Sequence, residues 1–154
     1  MRIALYEPDI PQNAGTILRL GACLGVAVDV IAPMGFDLTE RTLRRAGLDY
    51  LPHVEIARHA TFADFDAARH LRGSRLILLT THSRTAYSSF AFRPDDTLLL
   101  GRESSGVPDA IHELADARLR IPMRPGLRSL NVAVACAMAL GEALRQTDGF
   151  SPAE

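Results

Sequence analysis

Short apolar runs alternate with stretches of helical periodicity along this chain, and no other feature constrains its fold as strongly. Residues 2–6, 26–31, 54–57, 75–80, 97–100 and 119–121 read as strands. Some of them, such as Leu98-Leu99-Leu100, are apolar at successive positions. A strand of that kind must be covered on both faces, which points to a parallel sheet between helices. Between the strands, residues 12–24 carry Ile17, Leu20 and Leu24 at helical spacing, with Gly25 as the stop. Residues 39–46 read as a short helix with Asp37 or Thr39 as cap. Thr61 caps a helix to about Leu71, with Phe62, Phe65, Ala68 and Leu71 on one face. Pro108 opens a short helix through Leu114. Residues 131–146 form the last helix, apolar nearly all round up to Glu142 and therefore expected to be buried, partly against a second subunit. The expectation is one α/β domain over residues 1–147, with 148–154 as a loose tail.

Bulk properties narrow the function classes. A chain of 154 residues, 47% hydrophobic, fits one globular domain with a sizeable core. No apolar run approaches the roughly 20 residues of a membrane span, and residues 1–8 do not follow a leader pattern, so a cytoplasmic location is expected. Cys23 and Cys136 sit in apolar helical patterns and read as small buried hydrophobes. The histidines at 53, 59, 70, 82 and 112 are scattered without metal spacing, each expected to be a surface or hydrogen-bonded residue. Net charge is −1, so charge alone does not announce nucleic acid; every basic side chain is Arg, suited to bidentate phosphate contacts.

Three post-strand segments carry the unusual residues, and in open α/β sheets ligands sit at the carboxyl ends of strands. In Pro11-Gln12-Asn13-Ala14-Gly15-Thr16-Ile17-Leu18-Arg19, Asn13 or a neighbour is placed to cap the helix. Arg19, between Leu18 and Leu20, is expected to be half buried and to need an anionic partner. In Leu100-Gly101-Arg102-Glu103-Ser104-Ser105-Gly106-Val107-Pro108, two glycines permit close backbone approach before a helix. Glu103 occupies the position where a nucleophile elbow needs glycine, and without Lys there is no phosphate loop. A Gly-x-Gly-x-x-Gly fingerprint is missing after the first strand. The third segment runs Ile121-Pro122-Met123, then Arg124 to Arg128, then Ser129-Leu130-Asn131 and a small-residue helix. Its Pro/Gly backbone is suited to holding a flat, uncharged ring.

Asn-x-Gly-x-x-x-Arg (13–19), Leu-Gly-Arg-Glu-x-x-Gly-Val-Pro (100–108) and Ile-Pro-Met…Ser-Leu-Asn-Val-Ala-Val-Ala (121–135) together resemble, in order and spacing, the motifs of the SPOUT-class, TrmH-type RNA methyltransferases. Tyr6-Glu7-Pro8-x-Ile10-Pro11-x-Asn13, Pro33-Met34-Gly35-Phe36 and Leu43-Arg44-Arg45-Ala46-Gly47-Leu48-Asp49-Tyr50 are similar to the branch that methylates the ribose of tRNA nucleotide 34.

The resemblance implies an α/β fold with a deep C-terminal trefoil knot and a homodimer formed through the last helix. It implies S-adenosylmethionine as cofactor, no metal, and the wobble nucleotide of a leucine tRNA as substrate. Cofactor contacts would come from Leu79, Thr80, Gly101, Glu103, Ile121, Met123, Ser129, Leu130 and Asn131. Arg19 and Asn13 would be catalytic, facing the RNA across the dimer interface, and Arg41, Arg44, Arg45, Arg124 and Arg128 would bind RNA. A different RNA target, or a non-catalytic RNA-binding module on the same fold, is the alternative.

Overall fold

The structure, a computed structural model, describes residues 1–36 and 50–151. Six strands form one parallel sheet: β1 (Arg2–Tyr6), β2 (Ala27–Ile31), β3 (Ile56–His59), β4 (Leu76–Leu79), β5 (Thr97–Leu100) and β6 (Ala117–Leu119). Their order is β3-β2-β1-β5-β4-β6. Four helices accompany them among the described residues: α1 (Pro11–Leu24), α2 (Phe62–Leu71), α3 (Asp109–Leu114) and α4 (Val132–Gln146). Short 3-10 turns lie at Leu51–His53 and Tyr87–Ser89.

The period-two pleat sorts the apolar strands onto two cores. Ile3, Leu5, Val28, Val30, Ile77, Leu98, Leu100 and Leu119 point to the face covered by α1 and α4. Ala4, Ile31, Leu76, Leu78 and Leu99 point to the face that receives Phe65 of α2 and Ile111 of α3. Helix boundaries follow local chemistry. Pro11 sits at the first turn of α1, and Gly25 ends it at φ 65°, a conformation that costs glycine little. Thr61 Oγ1 accepts from the Asp64 amide at 3.1 Å and caps α2.

Several expectations are corrected. The third strand lies two residues further on, at Ile56–His59, because residues 51–53 take a 3-10 turn. The last strand ends at Leu119, so Ile121 already belongs to the following loop. Leu71 is 90% exposed, and Arg69 holds the buried face of α2 instead. Arg69 is satisfied there by the Asp66 carboxylate at 2.7 Å and the Ser74 carbonyl. Cys23 is exposed, whereas Cys136 is fully buried with its thiol pushed up to about 12 by desolvation. The expected helix at 39–46 lies outside the described residues.

A second polar cluster is built into the sheet. Asp29 of β2 is fully buried and ion-paired to Arg2 Nε at 2.8 Å and to Arg72 at 3.5 Å. Its other carboxylate oxygen meets His59 Nε2 at 2.7 Å, and the His59 ring rests edge-on against Phe65. Asp29→Ala removes one partner of a buried ionic cluster and is expected to lower unfolding free energy by about 3 kcal/mol, read from urea denaturation at pH 7.

Candidate functional site

Strand order changes direction between β1 and β5: β2 and β3 lie on one side, β4 and β6 on the other. The segments leaving β1 and β5 therefore diverge to opposite faces of the sheet and leave a crevice at its carboxyl edge. A cleft of about 750 Å³ occupies this edge. Its walls come from the ends of β4, β5 and β6, the 101–107 loop, the 121–131 segment, and Ile10 and Asn13 at the start of α1.

Backbone geometry shapes the cleft. Arg102 and Gly106 exchange backbone hydrogen bonds at 3.0 and 2.7 Å, which folds the loop back on itself. A Cβ at Gly101 would sit 2.7 Å from the Gly106 carbonyl carbon, so only glycine allows this closure. Glu7, at the exit of β1, adopts φ 43° while its amide donates to Ile31 O at 3.0 Å.

Side chains from the three segments meet at the closed end. Asn131 caps α4 through Oδ1, which accepts from the amides of Ala133 at 2.8 Å and Val134 at 3.3 Å. Its Nδ2 donates to Asn13 Oδ1 at 2.8 Å. Asn13 Nδ2 in turn donates to Glu103 Oε1 at 3.2 Å, and Glu103 Oε2 accepts from the Asp9 amide at 3.0 Å. Asn13 is only 9% exposed and is not a cap: it lies within α1, whose Ile10 N-cap makes no side-chain bond. Pro11, lacking an amide proton, and backbone bonds from residues 13 and 14 to Ile10 O serve that helix start instead.

All nine expected cofactor residues line the cleft: Leu79, Thr80, Gly101, Glu103, Ile121, Met123, Ser129, Leu130 and Asn131. Asn13 and Arg128 line it too. Arg124 is exposed outside the walls, and Arg41, Arg44 and Arg45 lie outside the described residues. Arg19 departs from expectation. It is exposed on α1, and its guanidinium stacks over the Tyr50 ring at 4.6 Å, with no ion pair to a carboxylate among the described residues. One residue's step around the helix, about 100°, decides this, since Leu18 points inward while Arg19 points outward.

Sequence reasoning missed Asp9, Arg102 and Ser104. Asp9 Oδ2 accepts from Arg102 Nε at 3.0 Å and from Ser104 Oγ, and Arg102 also reaches Glu7 at 3.4 Å. The Glu103 side chain, the Ser104 hydroxyl and the Arg102 guanidinium hold the Asp9 carboxyl well below the usual carboxylate range. No local signal links Asp9 to residues more than 90 positions away. His82 and His112, 30 positions apart in the chain, stack at 6.0 Å in the cleft wall. No group of three or more metal-ligating side chains exists among the described residues.

Residues 1–141 match the SpoU rRNA Methylase family, and the chain belongs to that family. It is 60% identical over 149 residues to a tRNA (cytidine(34)-2'-O)-methyltransferase of Beijerinckia indica subsp. indica, covering 97% of this chain and 93% of that protein. A solved structure described as "Structural insights into the 2-OH methylation of C/U34 on tRNA" superposes with a TM-score of 0.89 at 43% identity, over 94% of each chain. The SpoU methyltransferase AviRb from Streptomyces viridochromogenes, solved with the cofactor AdoMet, superposes at 0.84 with 28% identity. That match covers 95% of this chain and 60% of AviRb.

Because the Asp9 carboxyl is depressed in the folded chain, its network stabilises the fold above the ordinary aspartate value near about pH 4 and loses that contribution as pH falls further. Asp9→Asn is expected to flatten the acid limb of the urea midpoint measured between about pH 5 and about pH 2. An acid limb as steep as in wild type counts against the network.

Proposed function

We infer that this chain transfers a methyl group from S-adenosylmethionine to the ribose 2′-oxygen of nucleotide 34, the wobble position, of a tRNA. The observation that carries this reading is the convergence of all three motif segments on one cleft, with Asn13, Glu103 and Asn131 hydrogen-bonded in series at its closed end. Near-full-length identity to a relative named for that activity supports the same position. The leucine isoacceptor implied by the family resemblance is part of the proposal.

The cleft suits the cofactor. Leu79, Ile121 and Leu130 offer apolar contacts, the loop closed at Gly101 brings backbone groups close, and Glu103 supplies a carboxyl for a cationic ligand. When bound, S-adenosylmethionine supplies a methyl group already activated on a sulfonium. The protein's task is then orientation of the attacking oxygen and exclusion of water. Asn13 and Glu103 fix one another's amide and carboxyl groups, which gives the cleft floor a set polarity. Arg19 is an anchor rather than a base, because a delocalised guanidinium is too weak an acid to lose its proton and serve as a proton acceptor. It grips a backbone phosphate beside the target ribose and stabilises charge developing on the 2′-oxygen.

Arg19 does not line the cleft of its own chain. The proposal is therefore a homodimer in which Arg19 serves the partner's cleft. Support comes from α4, expected to be buried all round. Val134 is 49% exposed, Met138 is also exposed, and a Cβ at Gly141 would meet open space. Leu130 and Leu127 extend the apolar stripe toward the cleft. A C-terminal trefoil knot belongs to the same proposal. Its support is the clasp between residues 85–87 and Arg120, with Thr80 N bonded to Leu119 O at 2.8 Å, ahead of the segment that returns to α4. Arg124 and Arg128 are proposed RNA contacts, as are Arg41, Arg44 and Arg45, which lie outside the described residues; a cytoplasmic location belongs to the same proposal.

Mass spectrometry of nucleosides from tRNA incubated with protein and cofactor tests the central reading. A 2′-O-methylated residue at position 34 is expected, while methylation elsewhere, or none, overturns it. Arg19→Ala is expected to slow methylation about 100-fold or more while calorimetric affinity for S-adenosylhomocysteine stays as in wild type. Val134→Asp places a charge on the apolar stripe and is expected to yield monomers, or a destabilised chain, by light scattering and thermal melting. A stable Val134→Asp dimer removes α4 from the interface.

A further inference from the structure

We propose that Arg84, Arg118 and Arg120 form a phosphate track at the outer edge of the sheet, which grips the backbone of the RNA strand that carries the target ribose. That this RNA is a tRNA rests on the function inferred above; the phosphate-binding edge itself does not.

The argument starts from how charge is distributed. Residues 80–90 and 117–131 contain Arg84, Arg118, Arg120, Arg124 and Arg128 and not one Asp or Glu. The whole chain has 17 basic and 18 acidic side chains, for a net charge of −1, so this excess of positive charge is local. The fold brings the two stretches together. Ser83 Oγ donates to Arg118 O at 2.6 Å, the Arg120 amide donates to Thr85 O at 2.9 Å, and the Tyr87 amide donates to Arg120 O at 3.0 Å. Arg84 is carried between two of these attachments. Ala117 and Leu119 turn to the core under α1 and α4, so the pleat sends Arg118 and Arg120 to the other face of the sheet. There Arg118 Nη1 donates to His112 O of α3.

Pairing separates these side chains from other arginines. Arg69, Arg75 and Arg102, for example, each meet a carboxylate. Arg84, Arg118 and Arg120 meet none among the described residues, and all three are exposed. Edge strands often carry charge to block pairing with another chain. That need is small here, because residues 83–87 already engage the Arg118 carbonyl and both backbone groups of Arg120.

Position ties the track to the cleft. Thr80, Thr81 and His82 line the cleft and lead to Arg84, while Ile121 lines it directly after Arg120. An RNA strand with its ribose in the cleft meets this edge as it leaves. Guanidinium binds phosphate through paired N–H donors, and the exposed residues Thr81 and Thr85 add hydroxyls of the kind that position a nucleic acid backbone. Such contacts add affinity without selecting bases. An anionic lipid surface is the weaker match, since no large apolar side chain of residues 80–90 or 117–121 is exposed to enter it.

The experiment measures tRNA binding by fluorescence anisotropy over a series of salt concentrations, with S-adenosylhomocysteine present. Arg84→Gln/Arg120→Gln is expected to bind more weakly than wild type, and its slope of log affinity against log salt is expected to fall by roughly one for each arginine removed. Arg93→Gln is the control. Arg93 is also exposed, but it precedes β5 at the opposite edge of the sheet, so removing its charge is expected to leave the slope as in wild type. Thermal melting checks that the double variant folds; should it not, Arg84→Gln alone decides, with an expected fall of about one. An unchanged slope in the double variant, or an equal fall per charge in Arg93→Gln, overturns the track. So does wild-type protein that binds phosphatidylserine vesicles in preference to tRNA. If the slopes fall as expected but nucleotide 34 stays unmethylated, the function fails and the track stands. Methylation at position 34 with unaltered slopes keeps the function and removes the track.

Discussion

The closed end of the cleft depends on one run of hydrogen bonds, from the start of α4 through Asn131, Asn13 and Glu103 to the Asp9 backbone. Each bond is worth about 1 kcal/mol net, so together they are no match for the hydrophobic core. Their importance lies in where they act. Residues 124–131 are exposed and have little apolar packing to locate them. Polar contacts with fixed donors and acceptors give such a segment a position. The run also joins residues 118 positions apart in the chain, so it forms only after the sheet and both helices are assembled. A half-satisfied version of this network would be worse than none, since Asn13 is buried with both ends of its amide engaged.

The sheet supplies the frame that makes these contacts possible. Its apolar strands are sealed by α1 and α4 on one face and by α2 and α3 on the other. Small residues allow close packing on the first face. Ala133, Ala139 and Ala143 of α4 are buried, and a Cβ at Gly21 of α1 would sit 2.6 Å from Val26 O. With α1 and α4 seated on the same face, their N-terminal ends stand side by side at the carboxyl edge of the sheet. That proximity brings Asn13 within reach of Asn131. The opposite side of α4 remains apolar and exposed, and Arg19 stands on the exposed side of α1. A single chain thus presents a cleft with one expected contributor outside its walls, the observation from which the proposed homodimer starts.

Much of this was legible from residue patterns. The apolar strands, the glycine stop at Gly25, the Thr61 cap and the parallel sheet follow from local propensity and two-sided burial. The errors came where tertiary packing overrides a local pattern. Leu71 fits the apolar stripe of α2 but lies beyond the reach of the sheet, while Arg69 finds a carboxylate and a carbonyl at its edge and is buried. Asn13 fits a cap pattern, yet its side chain is drawn to groups on two other segments.

The sequence by itself determined the fold class and the three post-strand segments that form the cleft, because glycine, proline and apolar spacing act over a few residues; the nine residues expected to line it came from the family resemblance of those segments. Only the tertiary structure decided which polar groups meet. Asp9 is joined to Arg102 and Ser104, His82 to His112, and Arg19 to Tyr50 across spans that no periodicity records. Hydrogen bonds and ion pairs depend on tenths of an ångström and on orientation, and those are fixed by how the loops cross at the sheet edge.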